Sequence, residues 1–237
     1  MDAQHRPRVL LLGDSITQQS FWVEHQGFGA ALTEFYSRAA DVVNRGFSGY
    51  NTRWFKWILP RLIPESMLER VQLCTIFFGA NDSVREGETQ HVPLAEYSSN
   101  LQCIIRHVRQ LAPTAAIVLV TPPTVDTALW PTRSPSSAAA YAEVVREVVR
   151  AGNDARLALL DLHELTLDDL RDGLHLNSSG NKKVFSGLQT LLRDHFPELV
   201  PKAADGVLGD HFPVSSTFAG KSEEELRQLL TSWEWQN

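Results

Sequence analysis

Five residues of this 237-residue chain carry the groups that acyl transfer requires. They are Ser15 in Gly13-Asp14-Ser15-Ile16-Thr17, Gly46 in Asn44-Arg45-Gly46, Asn81 in Gly79-Ala80-Asn81-Asp82, and Asp172 and His175 in Asp172-Gly173-Leu174-His175. A serine hydroxyl attacks a carbonyl carbon when a histidine takes its proton. A carboxylate three residues before that histidine can fold back in a turn, holding the imidazole with Nδ1 protonated and Nε2 free. The tetrahedral intermediate needs donors for its oxyanion. The candidates are the Ser15 N–H, the Gly46 N–H, which no side chain shields, and the Asn81 amide. Together these groups read as a serine esterase. Each block alone also reads as a turn or a helix cap, and His163, near a strand end after Asp161, is a rival base.

The positions of the blocks follow from the elements before them. Residues 9–12, 41–44, 71–78, 116–120 and 156–162 are short apolar runs of the kind buried parallel strands show. The first three chemical blocks each follow one of these runs, which puts them in the crevice outside the carboxyl ends of the strands. Helical periods lie between the runs. Phe28, Ala31, Leu32, Phe35 and Tyr36 form one stripe, and Leu94, Tyr97, Leu101, Ile104, Ile105 and Val108 another. Tyr141, Val144, Val145, Val148 and Val149 make a third, and Val184, Leu188, Leu191 and Leu192 a fourth. This alternation predicts βαβ units and a parallel sheet covered on both faces. Three stretches read as connections: 17–27 with Phe21 and Trp22, 52–64 with Trp54, Phe55 and Trp57, and the Pro/Ser/Thr-rich 122–137 with Trp130. Phe21, Trp54 and Trp130 could wall an acyl or alcohol pocket, or be core.

Composition narrows the class. A hydrophobic content of 43% and a charged content of 21% fit a folded globular chain. A net charge of −6 disfavours nucleic acid or an anionic membrane as partner. No run is long enough to span a bilayer, and the four apolar residues 9–12 are too few for a signal peptide, so a cytosolic protein is expected. Cys74 and Cys103 are then expected as free thiols. From Pro197 onward seven acids against three bases leave a charge of −4. Ser222 and Glu225 there form a capping-box signature for a last helix through Leu226, Leu229, Leu230 and Trp233. The chain divides into a domain over 1–196 and an extension over 197–237 that packs on the domain or forms a homodimer contact.

In conjunction the blocks resemble those of the SGNH, or GDSL-type, hydrolases, with Ile16 where Leu is usual. More narrowly, residues 13–18, 44–54, 77–82, 91–94 and 172–176 are similar to strings of the isoamyl acetate-hydrolysing esterase group, and the likeness runs over about 9–196. It implies a flavodoxin-like three-layer α/β/α fold with a five-stranded parallel sheet. It also implies Ser15 as nucleophile, His175 as base, Asp172 as its orienter, and Ser15, Gly46 and Asn81 as the oxyanion hole. The expected reaction is hydrolysis of small esters, with short acyl groups such as acetyl, through an acyl-enzyme. No metal or organic cofactor, nucleic-acid partner or stable membrane insertion is expected. Acetylated sugars, lipid esters and thioesters remain open as substrates. A silent binding protein on the same fold is the alternative, although all five site residues are present. A metal hydrolase built on Asp168, Asp169 and Asp172 beside His175 lacks a ligand spacing such as His-Glu-x-x-His, and Gly13 opens no Gly-x-Gly-x-x-Gly dinucleotide loop.

Overall fold

Side chains alternate across a strand, and along the first strand, β1 (Arg8–Gly13), that alternation divides the core in two. Val9 and Leu11 join the apolar cluster on one face of the sheet, and Leu10 and Leu12 join the cluster on the other. The computed structural model describes residues 6–201, 203–204, 207–208 and 220–231. The other strands are β2 (Asp41–Gly46), β3 (Val71–Phe77), β4 (Ala116–Val120) and β5 (Leu157–Leu160). All pair in parallel, in the order β2-β1-β3-β4-β5. This is the expected flavodoxin-like order, with its switch point between β1 and β3.

The short α1 (Ser15–Gln18) leaves the end of β1 directly. Helices α2 (Phe28–Phe35) and α7 (Ser178–His195) cover the first face, through Phe28 and Leu32 and through Val184 and Leu188. Helices α3 (Thr52–Leu62), α5 (Leu94–Leu111) and α6 (Pro135–Gly152) cover the second, and the four-residue α4 (Glu65–Leu68) lies between α3 and β3. The four expected helical stripes face these clusters, except that Leu94 at the start of α5 is 42% exposed and Ala31 is only half-buried.

One element departs from the sequence reading. Residues 52–62, expected within a connection, form α3 despite Pro60 inside it. Phe55, Leu59 and Ile63 recur every four residues and are at most 2% exposed, and this burial outweighs the cost of a proline near the helix end. The helix start is also well capped. The Asn51 side chain accepts the Trp54 N–H, and buried Asp82 accepts the Thr52 N–H.

Beyond Pro197 a 3-10 turn at Pro197–Leu199, a two-residue antiparallel pair (β6, Ala203–Ala204; β7, Val207–Leu208) and α8 (Glu223–Thr231) are described. The expected capping box is formed: the Ser222 hydroxyl accepts the Glu225 N–H at 3.3 Å, and the Glu225 carboxylate accepts the Ser222 N–H at 2.7 Å. Trp233 lies outside the described residues. Cys74 and Cys103 are free thiols, as expected, and burial pushes the Cys74 thiol well up. No helix among the described residues is long and apolar enough to cross a membrane.

Candidate active site

Strand register assembles the site. Gly13 at the end of β1 pairs with Gly46 at the end of β2 and with Phe77 at the end of β3, so the segments leaving all three strands emerge side by side. Ser15 is the first residue of α1. Asp14 caps that helix by accepting the Ile16 N–H at 2.9 Å. The Ser15 N–H, in the first turn, has no helical carbonyl to reach.

His175 comes to Ser15 from 160 residues away on the loop before α7. Three local devices hold that loop: a bridge between Leu170 and Leu176, a bond from the Arg171 N–H to the His175 carbonyl, and Asp172 Oδ1 accepting the N–H groups of Leu174 and His175. The carboxylate thus folds back as the Asp-x-x-His spacing suggests. Asp172 Oδ2 lies 2.8 Å from His175 Nδ1, and His175 Nε2 lies 2.9 Å from Ser15 Oγ. Burial pushes the Asp172 carboxyl up. The hydrogen bonds from the His175 N–H and ring, with Arg171 beside it, outweigh burial and hold it down at about 2. Asp172 is therefore ionised across the neutral range. Such a chain can take the proton of a hydroxyl as the oxygen attacks a carbonyl. His163 is remote from this chain. Its ring is 64% exposed and lies 3.8 Å from Asp161. The acidic run before His175 diverges, because Asp169 binds Lys183 and Ser179 while Asp172 binds His175.

On the donor side Gly46 and Asn81 differ in what already binds them. The Gly46 N–H is engaged by Asn44 Oδ1 at 2.8 Å. A Cβ at Gly46 would meet the Gln18 backbone nitrogen at 2.1 Å, so its missing side chain serves the contact between β2 and α1 rather than a substrate. The neighbouring turn supplies a different peptide. Gly49 has φ +78, a backbone glycine adopts without strain, and its N–H has no partner among the described residues. Its carbonyl accepts Gln90 Nε2 at 2.8 Å, and the same Nε2 lies 3.2 Å from Asn81 Oδ1. Gly49, Gln90 and Asn81 therefore form one hydrogen-bonded cluster.

Asn81 is buried and oriented. Its Oδ1 also accepts Arg133 Nη2 at 2.9 Å, and its Nδ2 donates to the Tyr50 carbonyl at 2.9 Å, leaving the second N–H of that amide to spare. Asn81 is thus held in place by Arg133, Gln90 and Tyr50. Asn81→Ala is expected to lower kcat by about 10² to 10³ at little-changed KM. It should also cost about 1 to 3 kcal/mol of stability, because Arg133 and Tyr50 lose a partner. Steady-state kinetics and a melting curve on one preparation read both effects; a normal kcat in the folded fraction would remove Asn81 from the chemistry.

The three aromatics differ. Trp130 supports the base: its Nε1 donates to the Asp172 carbonyl at 2.9 Å and its ring meets His175 edge-on at 6.2 Å. Trp54 is half-buried on α3, edge-on to Tyr50 at 6.1 Å. Phe21 packs against the core at Gly29, where a Cβ would meet its ring carbon at 2.5 Å. Trp22, at 41%, and Leu129, at 62%, are exposed; Trp22 lies under the Arg171 guanidinium, and Leu129 lies beside Gly173.

Asp14, next to Ser15 in the chain, and Asp82, next to Asn81, are two buried carboxyls. Burial raises Asp14 from its ordinary 3.8 to about 7, against the Ile16 hydrogen bond, and Asp82 to about 6, against its bonds from Thr52. Both groups bind protons more tightly folded than unfolded, so they stabilise the fold fully below about pH 4 and that contribution is lost as pH rises through 6 to 7. Asp14→Asn is expected to match the parent at pH 4 and to exceed its stability at pH 8 by on the order of 2 kcal/mol. Urea denaturation at the two pH values measures this; an unchanged difference between them would contradict it.

The fold and this cluster of groups define a class, flavodoxin-like α/β proteins with a hydroxyl, an imidazole and a carboxylate aligned at the carboxyl edge of the sheet, and comparison with known proteins gives the family. The model of the GDSL-like lipase/acylhydrolase family matches residues 11–183, and the chain belongs to that family. It is 42% identical over 216 residues to the isoamyl acetate-hydrolyzing esterase 1 homolog of Bos taurus, covering 82% of this chain and 86% of that protein. A GDSL esterase/lipase of Arabidopsis thaliana is 37% identical over 83% of this chain and 90% of its own. Among solved structures, a lipase/acylhydrolase from Enterococcus faecalis superposes with a TM-score of 0.63 at 26% identity, over 84% of this chain and all of that one. An acetylxylan esterase from Geobacillus stearothermophilus shares the fold, with a TM-score of 0.60 at 21% identity over 83% of this chain and 97% of its own. The chain is a carboxylic ester hydrolase.

Proposed function

We propose that this protein hydrolyses small esters of short acyl groups, acetyl foremost, through an acyl-enzyme on Ser15. The observation that carries the reading is the unbroken chain from Ser15 Oγ through His175 to Asp172, at 2.9 and 2.8 Å. Ser15 Oγ bonds to the substrate carbonyl carbon as its proton passes to His175 Nε2, and Asp172 stabilises the imidazolium. The oxyanion takes the N–H of Ser15, the spare N–H of Asn81 and, in place of Gly46, the unpartnered N–H of Gly49. Collapse breaks the bond to the alcohol, which leaves with the proton held by His175. Water then attacks the acyl carbon, giving its proton to His175, and collapse breaks the bond to Ser15 Oγ, which takes that proton back as the carboxylic acid leaves. Every step uses groups of this chain.

The preference for short acyl groups is supported by the relatives, one group of which is named for hydrolysing isoamyl acetate, and by a fold shared with an acetylxylan esterase. Two free thiols and a net charge of −6 suit action in the reducing cytosol. The test is a series of p-nitrophenyl esters of rising acyl length, with a metal chelator present. Acetate and butyrate should be hydrolysed fastest and long chains slowly. No hydrolysis of any member would favour the silent binding protein, and a preference for long chains would overturn the short-acyl reading.

A further inference from the structure

Arg133 is an arginine only 7% exposed, in the loop between β4 and α6. Its guanidinium touches both halves of the site. On one side Nε donates to the Ala80 carbonyl at 3.2 Å, and Nη2 donates to Asn81 Oδ1 at 2.9 Å and to Gln90 Oε1 at 3.4 Å. On the other side its plane lies 4.9 Å from the centre of the Trp130 ring, the ring that donates to the Asp172 carbonyl and abuts His175.

A guanidinium has donors only, so each amide facing it must present its oxygen. Reversing the Asn81 amide would set its NH2 against Arg133 and Gln90 Nε2 and its oxygen against the Tyr50 carbonyl, losing three hydrogen bonds. The same reasoning fixes Gln90, whose oxygen faces Arg133 and whose NH2 is thereby turned to Gly49 and Asn81. We infer that Arg133 is a positioning residue, locking the Asn81 amide with its NH2 turned away from Arg133, so that one N–H stays on the Tyr50 carbonyl and the spare N–H serves the reacting carbonyl, and coupling that donor, through Trp130, to the His175–Asp172 pair. This rests on the esterase reading above, in which Asn81 serves the oxyanion. Desolvation makes a buried cation costly unless it is well bonded, which fits a position retained for site geometry rather than stability.

The test compares Arg133→Met and Arg133→Lys with the parent, alone and in an Asn81→Ala background, on p-nitrophenyl acetate. Lysine keeps the charge and is the variant expected to fold, but it has no fork to hold Ala80 and Asn81 together. The lock predicts that kcat falls at least about tenfold for Met, and several-fold for Lys, with KM little changed. In the Asn81→Ala background the same changes should cost less than about threefold, because the amide they orient is gone. A residue that merely supports the fold would lower the melting temperature, leave kcat of the folded fraction within about twofold, and act equally in both backgrounds; that pattern overturns the inference. The 15N–1H2 signals of the Asn81 side chain give a readout that needs no turnover. One sharp pair is expected in the parent, and a doubled or broadened pair in Arg133→Lys, whereas an unchanged pair overturns the lock. Should the parent hydrolyse no ester, the esterase reading falls, and these signals still decide whether Arg133 orients the amide.

Discussion

Ser15→Ala is expected to lower kcat for ester hydrolysis by at least about 10⁴-fold while leaving the fold intact. The size follows from what the hydroxyl does: without Oγ no acyl-enzyme can form, and the donors are left to polarise a carbonyl that only water can attack. The fold should survive because the hydroxyl's one hydrogen bond is to His175, because Asp14 still caps α1 through the Ile16 N–H, and because alanine is a good helix former. Kinetics beside a melting curve measure both. A variant that keeps a tenth of the parent's rate would mean that another group is the nucleophile.

The second large effect separates two histidines. His175→Ala should cost nearly as much as loss of Ser15, about 10³-fold or more in kcat, since the proton of the attacking hydroxyl then has no acceptor. His163→Ala should leave kcat within about twofold, because His163 is exposed and reaches only Asp161. Equal losses, or the reverse order, would contradict the assignment. Assaying both variants with one short-chain ester suffices.

These residues could be found in the sequence because the determinants are local. Asp-x-x-His closes its own turn, and a serine directly after a buried strand can only emerge at the sheet's carboxyl edge. The five strands were legible for a related reason: parallel strands covered on both faces must be apolar runs, and the observed ends fall within two residues of the expected ones. What stayed hidden depends on partners far along the chain. Helix α3 looks like a loop because Pro60 and three aromatics interrupt its pattern, while the Asp82 carboxylate that holds its first turn lies 30 residues ahead. Gly46 is the glycine the sequence reading takes as donor, and Gly49 three residues on is not singled out by it. Which N–H is left over is decided by the Asn44 side chain folding back onto Gly46. Arg133 lies 52 residues from Asn81 in a polar loop where a charged residue is ordinarily solvated, so its burial carries no local signature.

Whether Ser15 Oγ forms the covalent intermediate is tested directly by a p-nitrophenyl alkylphosphonate. Its phosphorus mimics the tetrahedral carbon, and attack by a serine oxygen expels p-nitrophenolate and leaves a stable adduct. With Ser15 as the nucleophile, one equivalent of p-nitrophenolate per protein, full loss of esterase activity, and the added mass on Ser15 alone in the digested protein are expected. Release without an adduct on Ser15, or an adduct on another residue that accompanies inactivation, would contradict it.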